Sequence, residues 1–253
     1  MPFVDIHTSR IRCRESGRGR PGPPALFIHG AGGASTVWIT TLHRTARVAH
    51  GVAIDLPGHG RSTGSPASFD ELLAAVGATA ATLCLGPSVL VGHSLGGLVA
   101  MAAALAWPDK VAGLALVTTS PRFKVSPRLL AAIVDWASWP EWLAETGHSP
   151  STPRELRRRS TSLASGADQA QTRADFLACT MRDVTPELGN IRCPTLVVSG
   201  EDDWLAPKKW ADLLEERIPG ARRAHLARCG HFPMHEQPDA LAAALGDFLT
   251  ATR

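Results

Sequence analysis

The chain contains no tyrosine, so whatever chemistry it performs is done without a phenol. Cysteine is sparse. The five thiols, Cys13, Cys84, Cys179, Cys193 and Cys229, are odd in number, widely spaced and free of C-x-x-C pairs. That pattern excludes a disulfide framework and a cysteine-rich zinc site, and it fits reduced thiols in a cytoplasmic protein. Cys84 and Cys193 fall in apolar segments and are expected to act as small core residues. No run approaches the roughly 18 apolar residues of a membrane helix. Met1-Pro2-Phe3-Val4-Asp5 also lacks the basic and then apolar order of a secretion signal. Neither sign of charge dominates: the net charge of +3 comes from scattered Lys and Arg. The one short run, Arg157-Arg158-Arg159, reads as a solvated helix face, not a nucleic-acid patch. No internal repeat or low-complexity tract is present.

At 253 residues and 44% hydrophobic, the chain can bury one full core, with or without an insertion. Phe3 to Glu15 alternates as a strand pair would, with its turn expected around Ser9-Arg10. Ala25-Leu-Phe-Ile28 and Gly51-Val-Ala-Ile54 are short, wholly apolar runs of the kind a strand buried on both faces requires. Ser68-Phe-Asp-Glu71 is a capping box that opens a helix toward Leu83. The alternation continues with a strand at Val89-Leu-Val91, a helix from Leu95 to Ala106 and a strand from Val111 to Val117. It resumes with a strand from Thr195 to Val198, a helix from Lys208 to Arg217, a weaker strand near Ala224 to Leu226, and a closing helix from Pro238 to Leu249. Strand and helix in succession predict an α/β fold: a mostly parallel sheet with helices on both faces and ligands bound beyond the strands' carboxyl ends.

Residues 121–186 break this rhythm with helical patterns at Pro127 to Trp136, Trp139 to Glu145, Pro153 to Leu163 and Ala167 to Met181. The expected organisation is a core of residues 1–120 and 187–253 carrying a helical lid of residues 121–186. Trp136, Trp139 and Trp142 recur every third residue and either pack the lid on its parent domain or line a substrate pocket.

Gly92-His93-Ser94-Leu95-Gly96 joins a predicted strand to a predicted helix. A G-x-S-x-G in that place holds the serine hydroxyl on a strained turn above the sheet. A serine needs a base to remove its proton and a carboxylate to orient the base. His231, in Cys229-Gly-His-Phe-Pro233, lies on the loop between the last strand and the last helix. His235 sits at the approach to that helix, and His93 is expected to point away from the turn. Asp203 follows the strand Thr195 to Val198, with Asp202 as its rival. The glycine cluster His29-Gly30-Ala31-Gly32-Gly33 can aim a backbone N–H of Ala31 at a carbonyl oxygen, with the Leu95 N–H as partner. It matches neither phosphate-binding glycine pattern. Gly30, Trp136, Trp139, Trp204 and Phe232 are the residues expected around a substrate.

Taken with Asp55-Leu-Pro-Gly-His-Gly60-Arg61-Ser62 and Gly200 to Pro207, these motifs make the chain resemble the α/β-hydrolase superfamily over nearly its whole length. Within it the chain looks most like small microbial carboxylesterases, including the methyl esterases acting on pimeloyl-carrier-protein. The resemblance implies the chain order Ser94, Asp203, His231 for a triad. It also implies a structural role for the turn at Asp55 to Ser62. The expected activity is hydrolysis of a small-molecule carboxylic ester of short to medium acyl length. No metal, organic cofactor or nucleic acid is involved in that expectation, and the protein acts as a monomer or homodimer. Epoxide hydrolases and dehalogenases of this fold place aspartate at the elbow, and the epoxide enzymes have lid tyrosines. Carbon–carbon hydrolases keep the serine triad but usually have tryptophan where this chain has Phe232. They stay open as alternatives beside lactonases, cofactor-free perhydrolases, acyl transfer and a non-catalytic ligand-binding module.

Overall fold

In a computed structural model that describes residues 3–6, 9–65, 67–124, 126–164 and 168–252, the apolar runs become the centre of a single sheet. Its strands are β1 (Phe3–Ile6), β2 (Ser9–Ser16), β3 (Ala25–Ile28), β4 (Gly51–Ile54), β5 (Ser88–His93), β6 (Val111–Val117), β7 (Thr195–Gly200) and β8 (Arg222–Leu226), in the order β1-β2-β4-β3-β5-β6-β7-β8. The pairs from β4 through β8 are parallel, whereas β1–β2 and β2–β4 are antiparallel. Ser9 and Arg10 are not at the turn: they lie in β2 and pair with Ile6 and Asp5. The two residues between β1 and β2 fall outside the described residues.

Side chains alternate across a strand, and the central strands use both faces. Leu26 and Ile28 of β3 and Leu90 of β5 enter one core layer, while Ala25, Phe27, Val89 and Val91 enter the other. The first layer is closed by α2 (Phe69–Thr82), α3 (Leu95–Ala106) and α8 (Lys208–Arg217); the second by α1 (Ile39–Thr45) and α10 (Pro238–Ala251). The capping box that opens α2 is formed in both directions between Ser68 and Glu71. Its reciprocal bonds satisfy two N–H groups that a helix start otherwise leaves unpaired.

Between β6 and β7 lie α4 (Pro127–Val134), α5 (Trp139–Thr146), α6 (Arg154–Ala164) and α7 (Gln169–Thr180). The start predicted for the last of these, Ala167, lies outside the described residues. The side chain of Asp168 accepts the Gln171 N–H and caps the helix that begins at Gln169. Cys84 is not a core residue. It is exposed in the turn after α2, at φ 51°, because the helix ends there and the chain must reverse toward β5. Cys193 is only half-buried, at the edge of the first layer. Among the described residues no helix is long and apolar enough to cross a membrane.

Packing is close where α3 leaves the sheet. A Cβ on Gly96 would fall on the Ile28 carbonyl oxygen and 2.6 Å from that of His29, and one on Gly97 would lie 2.6 Å from the Thr119 side chain. Backbone cannot yield as a flexible side chain can. Gly96→Ala is therefore expected to destabilise the protein by about 3 kcal/mol or more. The melting temperature should fall by roughly 6–12 °C, whereas Gly246→Ala, where a Cβ meets nothing within 4 Å, should not lower it.

Candidate active site

Only one residue separates the end of β5 from the start of α3, so the chain must reverse within it. That residue is Ser94, held at φ 51°, ψ −118°. A non-glycine residue in such a conformation costs on the order of 1–3 kcal/mol and persists only where its surroundings fix it. Here the Ser94 N–H donates to the Val117 carbonyl at 3.1 Å, and the Ser94 carbonyl accepts from Thr119 Oγ1 at 2.6 Å and the Gly97 N–H at 2.9 Å. The side chain is left half-buried on the wall of a solvent-connected cavity.

His231 stands on the same wall. Its Nδ1–H faces both carboxylate oxygens of Asp203, at 3.0 and 3.1 Å, so that in the neutral tautomer with Nδ1 protonated Nε2 is free to accept a proton. Asp203 is buried just past β7, and its Oδ1 also accepts the N–H groups of Leu205 and Ala206 at 2.9 Å each. Asp202 is exposed and takes a hydrogen bond from Ser149 Oγ instead. Of the two adjacent carboxylates, only Asp203 meets the imidazole.

The backbone of His231 is held on every side. Its N–H donates to the Gly147 carbonyl, and its carbonyl accepts from Thr118 Oγ1 at 3.0 Å and His93 Nε2 at 2.9 Å. The Gly230 and Phe232 N–H groups both reach the Glu236 carboxylate, which also accepts from the Ser149 N–H and Thr152 Oγ1. His93 therefore does not simply point away from the turn. It is buried, lines the cavity and supports the loop that carries His231. Neither His93 nor Glu236 was legible as a support, since each acts through a partner more than eighty residues away or through a tight local turn. His235, on the helical turn Pro233–Glu236, is bonded through Nδ1 to Ser160 Oγ.

The glycine cluster after β3 has a defined direction. The Gly30 carbonyl accepts from His29 Nδ1 at 2.8 Å and from the Gly33 N–H at 3.1 Å. Because the peptide is trans, the Ala31 N–H in the same plane points the opposite way, and Ala31 lines the cavity. Leu95 is the first residue of α3, so its N–H has no acceptor within the helix and emerges at the turn. The opposite wall comes from the inserted helices, through Leu129, Trp136, Trp139, Leu143, Thr172 and Phe176. Gly30 and Phe232 also line it. Trp204 does not: it is 45% exposed, edge-on to Trp142 and beneath the Arg128 guanidinium, because the turn that buries Asp203 projects the next side chain outward. Trp136, Trp139 and Trp142 stack in series at 6.1 and 5.5 Å; Trp136 and Trp139 face the cavity, whereas Trp142 packs against Trp139 and Trp204.

A second cluster of buried polar groups lies behind the glycine loop. His59 donates Nδ1–H to the Pro57 carbonyl at 2.9 Å and Nε2–H to Asp175 Oδ2 at 2.7 Å, and both side chains are fully buried. A ring that donates from both nitrogens is an imidazolium. Burial opposes that charge, yet the hydrogen bond and charge of Asp175 raise the His59 pKa above its ordinary value. Asp55 accepts the Ser35 and Arg61 N–H groups and organises the turn from Asp55 to Ser62.

A model of the alpha/beta hydrolase family matches residues 25–244. The pimeloyl-[acyl-carrier protein] methyl ester esterase of Aromatoleum aromaticum is 32% identical over 255 aligned positions, covering 89% of this chain and 97% of that one. An esterase of Thermogutta terrifontis superposes with a TM-score of 0.87 at 25% identity, over 99% of this chain and 98% of that one. The enol-lactonase of Burkholderia xenovorans superposes with a TM-score of 0.90 at 23% identity, over 98% of this chain and all of that one.

Several imidazoles are held neutral. Burial, and then the charge of His59, lowers the His29 pKa to about 4, and burial brings His235 to about 4. Burial also lowers His93 and His148. On unfolding each returns to about 6.5 and binds protons that the folded chain refuses, so stability is lost as pH falls from about 6.5 toward 4. His59 has the opposite sign: its contribution is complete at low pH and is lost only as pH rises through its raised pKa. The melting temperature is expected to drop steeply between pH 6.5 and 4. A flat profile there would show that these rings gain protons at no cost to the fold.

Proposed function

This chain belongs to the alpha/beta hydrolase family, and we propose that it is a serine hydrolase of carboxylic esters, with Ser94 as nucleophile, His231 as general base and acid, and Asp203 as the residue that fixes the imidazole. The observation that carries this reading is the placement of His231. Its Nδ1–H is held by a carboxylate fixed by two further N–H donors, and its ring faces the cavity that Ser94 lines. Nε2 takes the Ser94 proton as Oγ attacks the carbonyl carbon. The Ala31 and Leu95 N–H groups receive the oxyanion, where each such donor is worth roughly 2.7–4 kcal/mol. Collapse of the tetrahedral intermediate expels the alcohol, protonated by His231. Water, deprotonated by the same nitrogen, then releases the acid and restores the serine.

The substrate class follows from the walls. Val37, Leu129, Trp136, Trp139, Phe176 and Phe232 present apolar surface to a bound acyl group, which suits short to medium chains. Residues 121–186 act as the lid that supplies most of that surface. The methyl ester esterase likeness supports a small leaving alcohol.

Ser94→Ala should stay folded but lose p-nitrophenyl ester turnover by on the order of 10⁴-fold or more, and wild-type protein should be labelled by a fluorophosphonate at Ser94. Asp203→Asn should cost about 10⁴-fold in kcat through the wrong tautomer. Asp202→Asn should stay within about twofold, as for a surface change. Undiminished turnover in Ser94→Ala would reject the nucleophile, and the larger loss at position 202 would reject the acid.

A further inference from the structure

Asp175 has no part in the chemistry above, yet it is a fully buried carboxylate on α7, and its partners are not chosen at random. Oδ2 accepts the Gly32 N–H at 2.7 Å and His59 Nε2–H at 2.7 Å, while Oδ1 accepts Gln171 Nε2–H at 3.0 Å. The first of these is a bond from the inserted helix to the residue directly after Ala31. Two consecutive peptide planes of the glycine loop are thereby fixed from opposite sides. The Gly30–Ala31 plane is held by His29 and Gly33 on its carbonyl. The Ala31–Gly32 plane is held by Asp175 on its N–H. Gly32 sits at φ 64°, a region that glycine enters about as readily as any other, so beyond the turn bond from the Gly33 N–H to the Gly30 carbonyl it is Asp175 that holds that plane.

The approach of α7 is independent evidence of the same coupling. A Cβ on Gly32 would lie 2.7 Å from Thr172 Oγ1, and one on Gly58 would collide with the Gln171 side chain. The helix therefore seats directly against the two glycine turns, one carrying Ala31 and the other carrying His59.

We propose that Asp175 is a positioning residue for the oxyanion-binding N–H of Ala31, clamped in turn by His59, so that seating α7 and forming the oxyanion site are one event. The proposal rests on the esterase reading. It makes the inserted helices part of the catalytic apparatus and not only a cover for the acyl group. A positioning role predicts a loss confined to the transition state, since the ground-state ester is bound by apolar walls that Asp175 does not touch.

The test compares wild type, Asp175→Ala and the neutral pair His59→Gln/Asp175→Asn on p-nitrophenyl butyrate. Affinity for an alkyl trifluoromethyl ketone, whose serine adduct carries an oxyanion, and amide hydrogen exchange at Gly32 complete the comparison. In Asp175→Ala, kcat should fall by about 10- to 100-fold, part of the loss expected for a missing donor. KM should stay within about threefold, ketone affinity should fall by the same factor as kcat, and the Gly32 amide should exchange faster. The neutral pair keeps an acceptor for Gly32 without an unpaired charge and should recover most of kcat. Unchanged kcat, a loss carried by KM alone, or a kcat loss without loss of ketone affinity would overturn the proposal. Where Asp175→Ala does not fold, the pair His59→Gln/Asp175→Leu, which removes the acceptor for Gly32 without stranding a buried charge, carries the same comparison. Wild-type turnover and Ser94 labelling test the esterase reading separately, because neither depends on what Asp175 contributes.

Discussion

The fold turns on a steric condition at one point: α3 must begin within a single residue of the end of β5, close enough to touch the carbonyls of β3. Only glycine fits at position 96, where a side-chain atom would strike the Ile28 and His29 carbonyls, and the reversal forces Ser94 to positive φ. Relief elsewhere would require moving α3 off the sheet, and α3 is buried along nearly its whole length. The serine hydroxyl is therefore raised above the strand ends as a consequence of core packing. The parallel order β3-β5-β6-β7-β8 does the rest. Parallel strands end at one edge, so the loops carrying Ala31, Ser94, Asp203 and His231 emerge together although they are far apart in sequence.

Loops at that edge have no ladder to satisfy their backbone groups, and a buried N–H without an acceptor costs roughly 1–3 kcal/mol. Carboxylates supply the acceptors here. Glu236 takes the N–H groups on both sides of His231 together with Ser149 of the insertion, Asp203 takes those of Leu205 and Ala206, and Asp175 takes that of Gly32. Two of these three span the boundary between the core and the inserted helices. A cover free to swing away would leave charged acceptors and backbone donors unpaired on both sides. The bonds thus favour inserted helices that stay seated on the core.

Much of this was legible in the sequence. Wholly apolar four-residue runs identified β3 and β4, the Ser68–Glu71 box marked the start of α2, and G-x-S-x-G between strand and helix located Ser94 before any coordinates. Chain order pointed to an acid in the turn after β7 but did not separate Asp203 from its rival Asp202, and the structure distinguishes them by which carboxylate is turned inward. What was not legible depends on pairing across the sequence. Asp175 sits in an unremarkable stretch of α7, 116 positions from His59, and no spacing rule links an inserted helix to a turn after β4. Trp204 was misplaced because adjacency to Asp203 says nothing of direction; successive residues in a tight turn face opposite ways. Cys84 was misread because an apolar neighbourhood in sequence does not reveal the left-handed turn that exposes it.

The pair His59–Asp175 poses an energetic question that the core alone does not answer. A fully buried ion pair seldom stabilises more than apolar residues of the same shape would, since desolvation of both charges cancels most of their attraction. Packing density could have been met at less cost by a leucine and a phenylalanine in those places. Such a substitution would lack one thing, an acceptor for the Gly32 N–H, and a neutral acceptor would hold that donor less strongly than a carboxylate does. Once a carboxylate is placed there, a buried cation must accompany it, and His59, already donating to Pro57, is within reach. The histidine is then explained by the aspartate and the aspartate by the glycine N–H; the direction proposed for the Ala31 N–H explains the glycine in turn.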